Sequence, residues 1–380
     1  MGTRGRLTIT GRRSGPGAPT VGVEEEFLLL DRADGRPACR APELLALLGG
    51  HLQAKPELMR FQVETITGVC TDLHQVREEL ASNRRLVAGA AAEVGCHLVA
   101  TGIAPRPGPG LAAITADPRY HELAARYRSL VARSGTCGLH VHVGVPSREA
   151  GVLLLARLRP YLPTLLALSG NSPVVSGRDT GWASRRYLEC VRWPSARPPN
   201  VWRSPDAYDA AVQRLIRAGR ALDARSVYFH ARLSPRYPTV EVRIADSCLS
   251  VDDAVAVAAL VRALTVLAFD DLGRGTPMRR VSGRRIAAEL GAAARDGLAA
   301  RAADPYTGRS LPHRALLAAL LDHLAEPEPV ARSLAPVLSR GTGADRQRAL
   351  WRRAATPGHF AALLAEATLA ATLHPVPPNG

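Results

Sequence analysis

Lysine is almost missing from this 380-residue chain: Lys55 is the only one, against 49 basic residues of the Lys and Arg type. A phosphate loop of the Gly-Lys-Ser/Thr kind is therefore excluded, and any nucleotide site built on a lysine has only Lys55 to use. Aromatic residues make up 4% of the chain, too few for a base-stacking platform, which argues against a nucleic-acid partner. The six cysteines include no Cys-x-x-Cys pair, so neither a zinc ribbon nor a redox dithiol is indicated, and scattered thiols fit a cytoplasmic enzyme. Uninterrupted apolar runs long enough to cross a bilayer are lacking, the longest being broken by Asp, Arg or Pro, so no membrane partner is expected. Residues 1–19 lack the apolar core of a secretory signal and read as a disordered tail. No Pro/Gly/Ser-rich linker divides the remainder, so residues 20–375 are expected to form one catalytic domain.

Positive charge is abundant. The net charge of +15 and pI near 10.5 favour anionic small molecules such as nucleotides, or reflect a bias towards arginine spread along helical stretches.

The decisive stretch is Val21 to Asp31, Val-Gly-Val-Glu-Glu-Glu-Phe-Leu-Leu-Leu-Asp. As a strand it sends Glu24 and Glu26 to one face while Val23, Glu25 and Phe27 point to the other. Two like charges side by side opposite other strands require a positive partner, and a divalent cation supplies one. The alternation recurs with Gln62 and Glu64, with His140 and His142, and with Glu241 and Arg243. Each pair alone has a plain structural reading, as solvated strand residues or a cross-strand ion pair. Four such strands in one sheet would gather carboxylates, imidazoles and a guanidinium on one face, the composition of a metal and phosphate site.

Between these strands the spacing predicts helices over 41–52, 73–95 (with an apolar stripe through Val76, Leu80, Leu86 and Val87), 120–133, 152–168 (kinked by Pro160 and Pro163), 206–222 and 251–272, and a helical C-terminal third. Glu57, seven residues before Glu64, reaches the same cavity or lies on the surface. The polar loop 178–186, rich in glycine and arginine, is either a lid over an anionic ligand or a surface excursion. Gly341 to Arg346 opens a helix that holds phosphate or is simply capped.

Taken together, Gly22-Val23-Glu24-Glu25-Glu26-Phe27, Gln62-Val63-Glu64-Thr65, Cys137 through Gly144, Leu166 through Pro173, Thr180-Gly181 with Ala183-Ser184 and Arg186, and Thr239 through Arg243 with Asp246 resemble the carboxylate-amine ligases of the glutamate-cysteine ligase type 2 family. The resemblance implies an α+β fold like that of glutamine synthetase: a curved antiparallel sheet with a metal-lined concave face and helices packed behind. It further implies ATP and Mg2+ (or Mn2+) as cofactors, with Glu24, Glu26, Glu64, His140 and Glu241 as metal ligands and Glu57 as a further candidate. Arg243, Arg186 and His142 would be catalytic; Glu24, Arg243 and Arg186 would contact the nucleotide. The implied reaction joins an amino-acid carboxylate to an amine through an acyl phosphate, by default glutamate and cysteine. A different acid and amine, phosphorylation of a guanidino group, and a non-catalytic metal- or nucleotide-binding relative are the alternatives. Small-molecule partners are implied, a homodimer is compatible, and the sequence leaves open the acid, the amine, the number of ions and the oligomeric state.

Overall fold

Strict apolar/polar alternation needs a sheet with one face packed and one face free, and the computed structural model, which describes residues 18–50, 53–278 and 280–370, has that sheet. Its strands are β1 (Val21–Asp31), β2 (Ala54–Pro56), β3 (Gln62–Ile66), β4 (Cys96–Val99), β5 (Gly138–Gly144), β6 (Ala231–Leu233) and β7 (Thr239–Asp246). The order is β2-β3-β1-β5-β7-β6, all antiparallel, with β4 also paired to β1. β1 is central because it is long enough to pair three strands, its first half with β5 and its second half with β4. The expected tail falls mostly on residues 1–17, outside the described residues.

The apolar face carries Val21, Val23, Leu139, Val141, Val143, Val240 and Val242, all buried in one core with helices α1 (Leu73–Glu93), α2 (Arg148–Leu158), α3 (Leu162–Ser169) and α5 (Val251–Arg274). Between α3 and α5 the short helix α4 (Arg185–Cys190) packs on β7. Pro160 and Pro163 break the 148–169 run into α2, a 3-10 turn and α3. That run is long and apolar enough to cross a membrane by length and composition, contrary to the expectation from its breaks; 78% of its apolar window is buried inside the protein.

One charge lies on the packed face. Glu25 is fully buried, and Arg84 of α1, also fully buried, meets both its oxygens at 3.1 and 2.5 Å. The remaining Arg84 N–H groups donate to the carbonyls of Cys248, Leu249 and Thr368, so one guanidinium ties the sheet to the start of α5 and the end of α7 (Pro357–Leu369). The buried stripe of α1 is Val76, Leu80, Arg84, Val87 and Ala91, at helical spacing. Leu86, expected in that stripe, is 53% exposed, because it sits about 200° around the helix from Arg84. The predicted 120–133 helix is two pieces, Pro118–Arg126 and Arg128–Val131.

Candidate active site

Register turns four separate alternations into one stripe. Lys55 stands opposite Glu64, Glu64 opposite Glu26, Glu24 opposite His140, His142 opposite Glu241, and Glu241 opposite Arg232. The β5–β7 pairing slips between Leu139 and Val141. Two β7 residues, Arg243 and Ile244, stand there opposite the single His140, so the bulge lies on β7 and re-aims side chains of that strand.

The stripe lines a cavity of about 160 Å³ shared with Glu57, Arg119, Tyr120, Arg225 and Tyr228. His140 Nδ1 lies 3.1 Å from Glu24, and its Nε2 lies 3.7 Å from Glu26. His142 Nε2 is 3.5 Å from Glu24, while its Nδ1 pairs with the Thr239 hydroxyl at 2.9 Å. Arg243 bonds Glu241 and approaches His140 at 3.3 Å; Arg232 grips Glu241 through Nε and Nη2 at 2.7 and 3.2 Å. Lys55 Nζ sits 2.8 Å from Glu64.

Electrostatics divides the acids into two sets. Burial would raise Glu24, but the His140 and His142 rings beside it hold it far below the usual carboxylate range; Glu241 is likewise pulled down against burial by Arg243 and Arg232. Glu26 is pushed up to about 7 by burial and by Glu57. Burial also raises Glu57, and burial with the charges of Glu24 and Glu57 raises Glu64. Burial and Arg243 lower His140 to about 4, so its imidazole is neutral at pH 7. The neutral His140 imidazole beside the carboxylates of Glu24, Glu64 and Glu241 supplies donors fitted to a divalent cation, whose charge offsets the repulsion among those carboxylates.

Two groups of donor atoms each lie within 4.8 Å of one another: Glu24, Glu64 and His140, and Glu24, His142 and Glu241. Glu24 belongs to both. His142 Nε2 is buried without a hydrogen-bond partner, as an open ligand nitrogen would be. Among the described residues Glu26 and Glu57 join neither group; Glu26 instead accepts the Gly138 N–H at 2.7 Å, and Glu57 meets the Tyr120 hydroxyl at 3.4 Å.

A second cavity of about 130 Å³ adjoins the first, and Glu26, Glu57, Leu58, His140, Tyr228 and Arg243 border both. Arg186 lines only the second. Its guanidinium is held by the carbonyls of Ile244 and Arg243 at 3.2 and 3.4 Å and stands 3.8 Å from Asp246. Asp246 accepts from Ser172, Ser184 and the Asn171 N–H, and Gly102 packs so closely on it that any side chain there would collide. Residues 178–185 line neither cavity. They are anchored through Ala183 and Ser184 to the carbonyls of Arg295 and Ala294, and through Asp179 to Arg348, so this segment is tied down elsewhere instead of covering the first cavity. The turn 234–238, with Tyr237 edge-on to His142 at 6.2 Å, overhangs the first cavity. Thr342 and Asp345 cap the helix that starts at Gly343, α6 (Gly343–Arg353), through a reciprocal box, so its first turn is satisfied within the chain.

The family model described as glutamate-cysteine ligase family 2 matches residues 20–366. The chain belongs to this family. A Mycobacterium sp. (strain KMS) protein provisionally named glutamate–cysteine ligase 2-2 is 41% identical over 363 residues, spanning 93% of this chain and 99% of its own. A Salinispora tropica protein with the corresponding provisional name is 40% identical over 367 residues, 94% and 96% of the two chains. Among solved structures, the Francisella tularensis glutamate–cysteine ligase in complex with AMP is similar with a TM-score of 0.65 at 13% identity, over 94% of this chain and 89% of that one. The bifunctional glutathione synthetase of Pasteurella multocida gives a TM-score of 0.62 at 14% identity, over 93% of this chain, which spans 53% of the larger enzyme. This family member is a ligase with the fold of those enzymes.

Sequence reasoning singled out Glu24, Glu26, Glu57, Glu64, His140, His142, Glu241 and Arg243, and all eight line the first cavity. It passed over Arg232, although Ala231-Arg232-Leu233 shows the same alternation on the strand beside Glu241. Arg119, Tyr120 and Arg225 come from helical segments and carry no periodic signal of their own.

Proposed function

We propose that this ligase is an ATP-dependent carboxylate–amine ligase that makes an amide bond through an acyl phosphate. The observation that carries the reading is the cross-strand stripe of acids and imidazoles facing one cavity whose wall is shared with a second. By the names of its relatives, the default pair is glutamate and cysteine, giving γ-glutamylcysteine.

Glu24, Glu64 and His140, and Glu24, His142 and Glu241, would hold Mg2+ or Mn2+; such ions neutralise the phosphates and the attacking carboxylate, which otherwise repel one another. A carboxylate oxygen of the acid attacks the γ-phosphorus, ADP leaves, and the amine then attacks the acyl carbon and expels phosphate. Arg243, on the wall between the cavities, stabilises charge on the phosphoryl group in transit; a single arginine is worth roughly 10³ to 10⁵ in rate in other phosphoryl-transfer enzymes. Arg232 keeps the Glu241 carboxylate ionised and oriented. Glu26 borders both cavities outside the two donor groups, so we assign it the proton leaving the amine nitrogen, accepted at its carboxylate oxygen and passed to solvent. Tyr228, Leu58 and Tyr120 line the cavities and limit access of water, to which an acyl phosphate is vulnerable.

The test is ADP release from Mg-ATP across acids and amines. ADP formed only when both partners are present supports the ligase; ADP formed with neither, or by no pair at all, contradicts it.

A further inference from the structure

Aromatic residues are scarce in this chain, 4% overall, yet Tyr187, Trp193, Tyr228 and Phe229 all line the second cavity. Trp193 and Tyr228 meet edge to face at 5.1 Å, and Tyr187 tilts against His230 at 5.8 Å. Trp193 is itself only partly buried, so the wall it builds has a free surface. His230 adds a flat ring that burial holds neutral, with its pKa lowered to about 3. The same cavity also carries charge. Arg186 is 7% exposed and its Nε has no partner, while Glu26 and Glu57 stand on the wall shared with the first cavity. A cation, two carboxylates and the partly exposed Trp193 on the wall of one cavity describe one kind of guest.

We propose that the second cavity selects an α-amino acid with an aromatic side chain as the amine partner: its carboxylate on Arg186, its nitrogen towards Glu26 and Glu57, its ring against Trp193. Cysteine would leave the aromatic wall uncovered. A ring buries on the order of 150–250 Å² and gains further from edge-to-face contact, whereas a thiol offers one heavy atom beyond Cβ. The positive charge of Arg186 adds discrimination against amines lacking a carboxylate, which leave it without an anionic guest. In the ligation the amino nitrogen attacks the acyl phosphate carbon, the C–N bond forms as the C–O bond to phosphate breaks, and the proton goes to Glu26. This inference rests on the ligase reading for its chemistry but not for its binding specificity.

The experiment is calorimetric titration of the full chain, with Mg2+ and a non-hydrolysable ATP analogue, by phenylalanine, cysteine and phenethylamine, together with mass-spectrometric detection of product when ATP and glutamate are supplied. Phenylalanine is expected to bind at least tenfold more tightly than either other ligand. Trp193→Ala should bring phenylalanine and cysteine to within threefold of each other, and Trp193→Phe should keep the preference, with circular dichroism verifying that both variants fold. Cysteine binding as tightly as phenylalanine, or a preference that survives Trp193→Ala, overturns the inference. Product with glutamate and cysteine but no aromatic preference overturns it while leaving the ligase reading intact. An aromatic preference without ADP formation by any pair supports the inference and removes the ligase reading.

Discussion

Replacing Glu26 by glutamine should make the cation-free protein more stable and nearly inactive, with the gain in stability confined to neutral and alkaline pH. In the folded chain burial and Glu57 raise this carboxyl from 4.5 to about 7. The charged form is thus disfavoured by roughly 3 kcal/mol, at about 1.4 kcal/mol per tenfold change in proton affinity. The sign follows from linkage. Between pH 4.5 and 7 the folded state keeps a proton that the unfolded chain gives up, so stability falls as pH rises through that window and stays low above it. Glutamine has the same size, carries no charge, and can still accept the Gly138 N–H that Glu26 accepts at 2.7 Å. Urea unfolding in EDTA at pH 4, 6 and 8 should therefore show no advantage for Glu26→Gln at pH 4 and one of about 3 kcal/mol at pH 8. At about 2.1 cal/mol/K per residue, that is a rise of roughly 4 °C in Tm. ADP formation at pH 8 should drop by roughly 10² to 10⁴, the usual contribution of a general base. A variant that is destabilised equally at all three pH values, or that keeps its turnover, refutes the reasoning.

Two further outcomes follow from single contacts. Arg84→Ala leaves the Glu25 carboxylate buried without its partner, so urea unfolding should show a loss of roughly 3–5 kcal/mol that the double change Arg84→Met with Glu25→Met largely restores; a loss below about 1 kcal/mol would show that the pair does not hold the sheet to α5 and α7. Lys55, 2.8 Å from Glu64, should become more reactive towards an amine-acylating reagent when Mg2+ draws Glu64 away and less reactive again when ATP is added. Peptide mapping separates it from the N-terminal amine, and a rate indifferent to both additions contradicts a cation at Glu64.

Much of the site was legible because strand parity is a local property. Glu24, His140, Glu241 and Arg243 each sit in an alternating strand, and that alone assigns them to one face before any pairing is known. Register is not local. Nothing near Glu64 indicates that it faces Glu26 on one side and Lys55 on the other. Parity also put Glu25 on the apolar face without revealing its partner, since Arg84 lies 59 positions further along on a helix whose expected stripe runs through Leu86. Arg186 shows the same limit: its motif marked it as functional, but its position in the second cavity comes from the packing of α4 against the carbonyls of β7. The segment 178–186 reads from its glycines and arginines as either a lid or a surface excursion, and the ties that decide between them, to the carbonyls of Ala294 and Arg295 and to the Arg348 side chain, are made by residues distant in the chain.

The central claim, that Glu24 joins two cation sites on one face of the sheet, is tested most directly by titrating the protein with Mn2+ and following the free ion by electron paramagnetic resonance. Wild-type chain should bind Mn2+, and Glu24→Gln, folded by circular dichroism, should bind it at least tenfold more weakly because both donor groups lose their common carboxylate. Equal Mn2+ affinity in the two proteins would contradict the account.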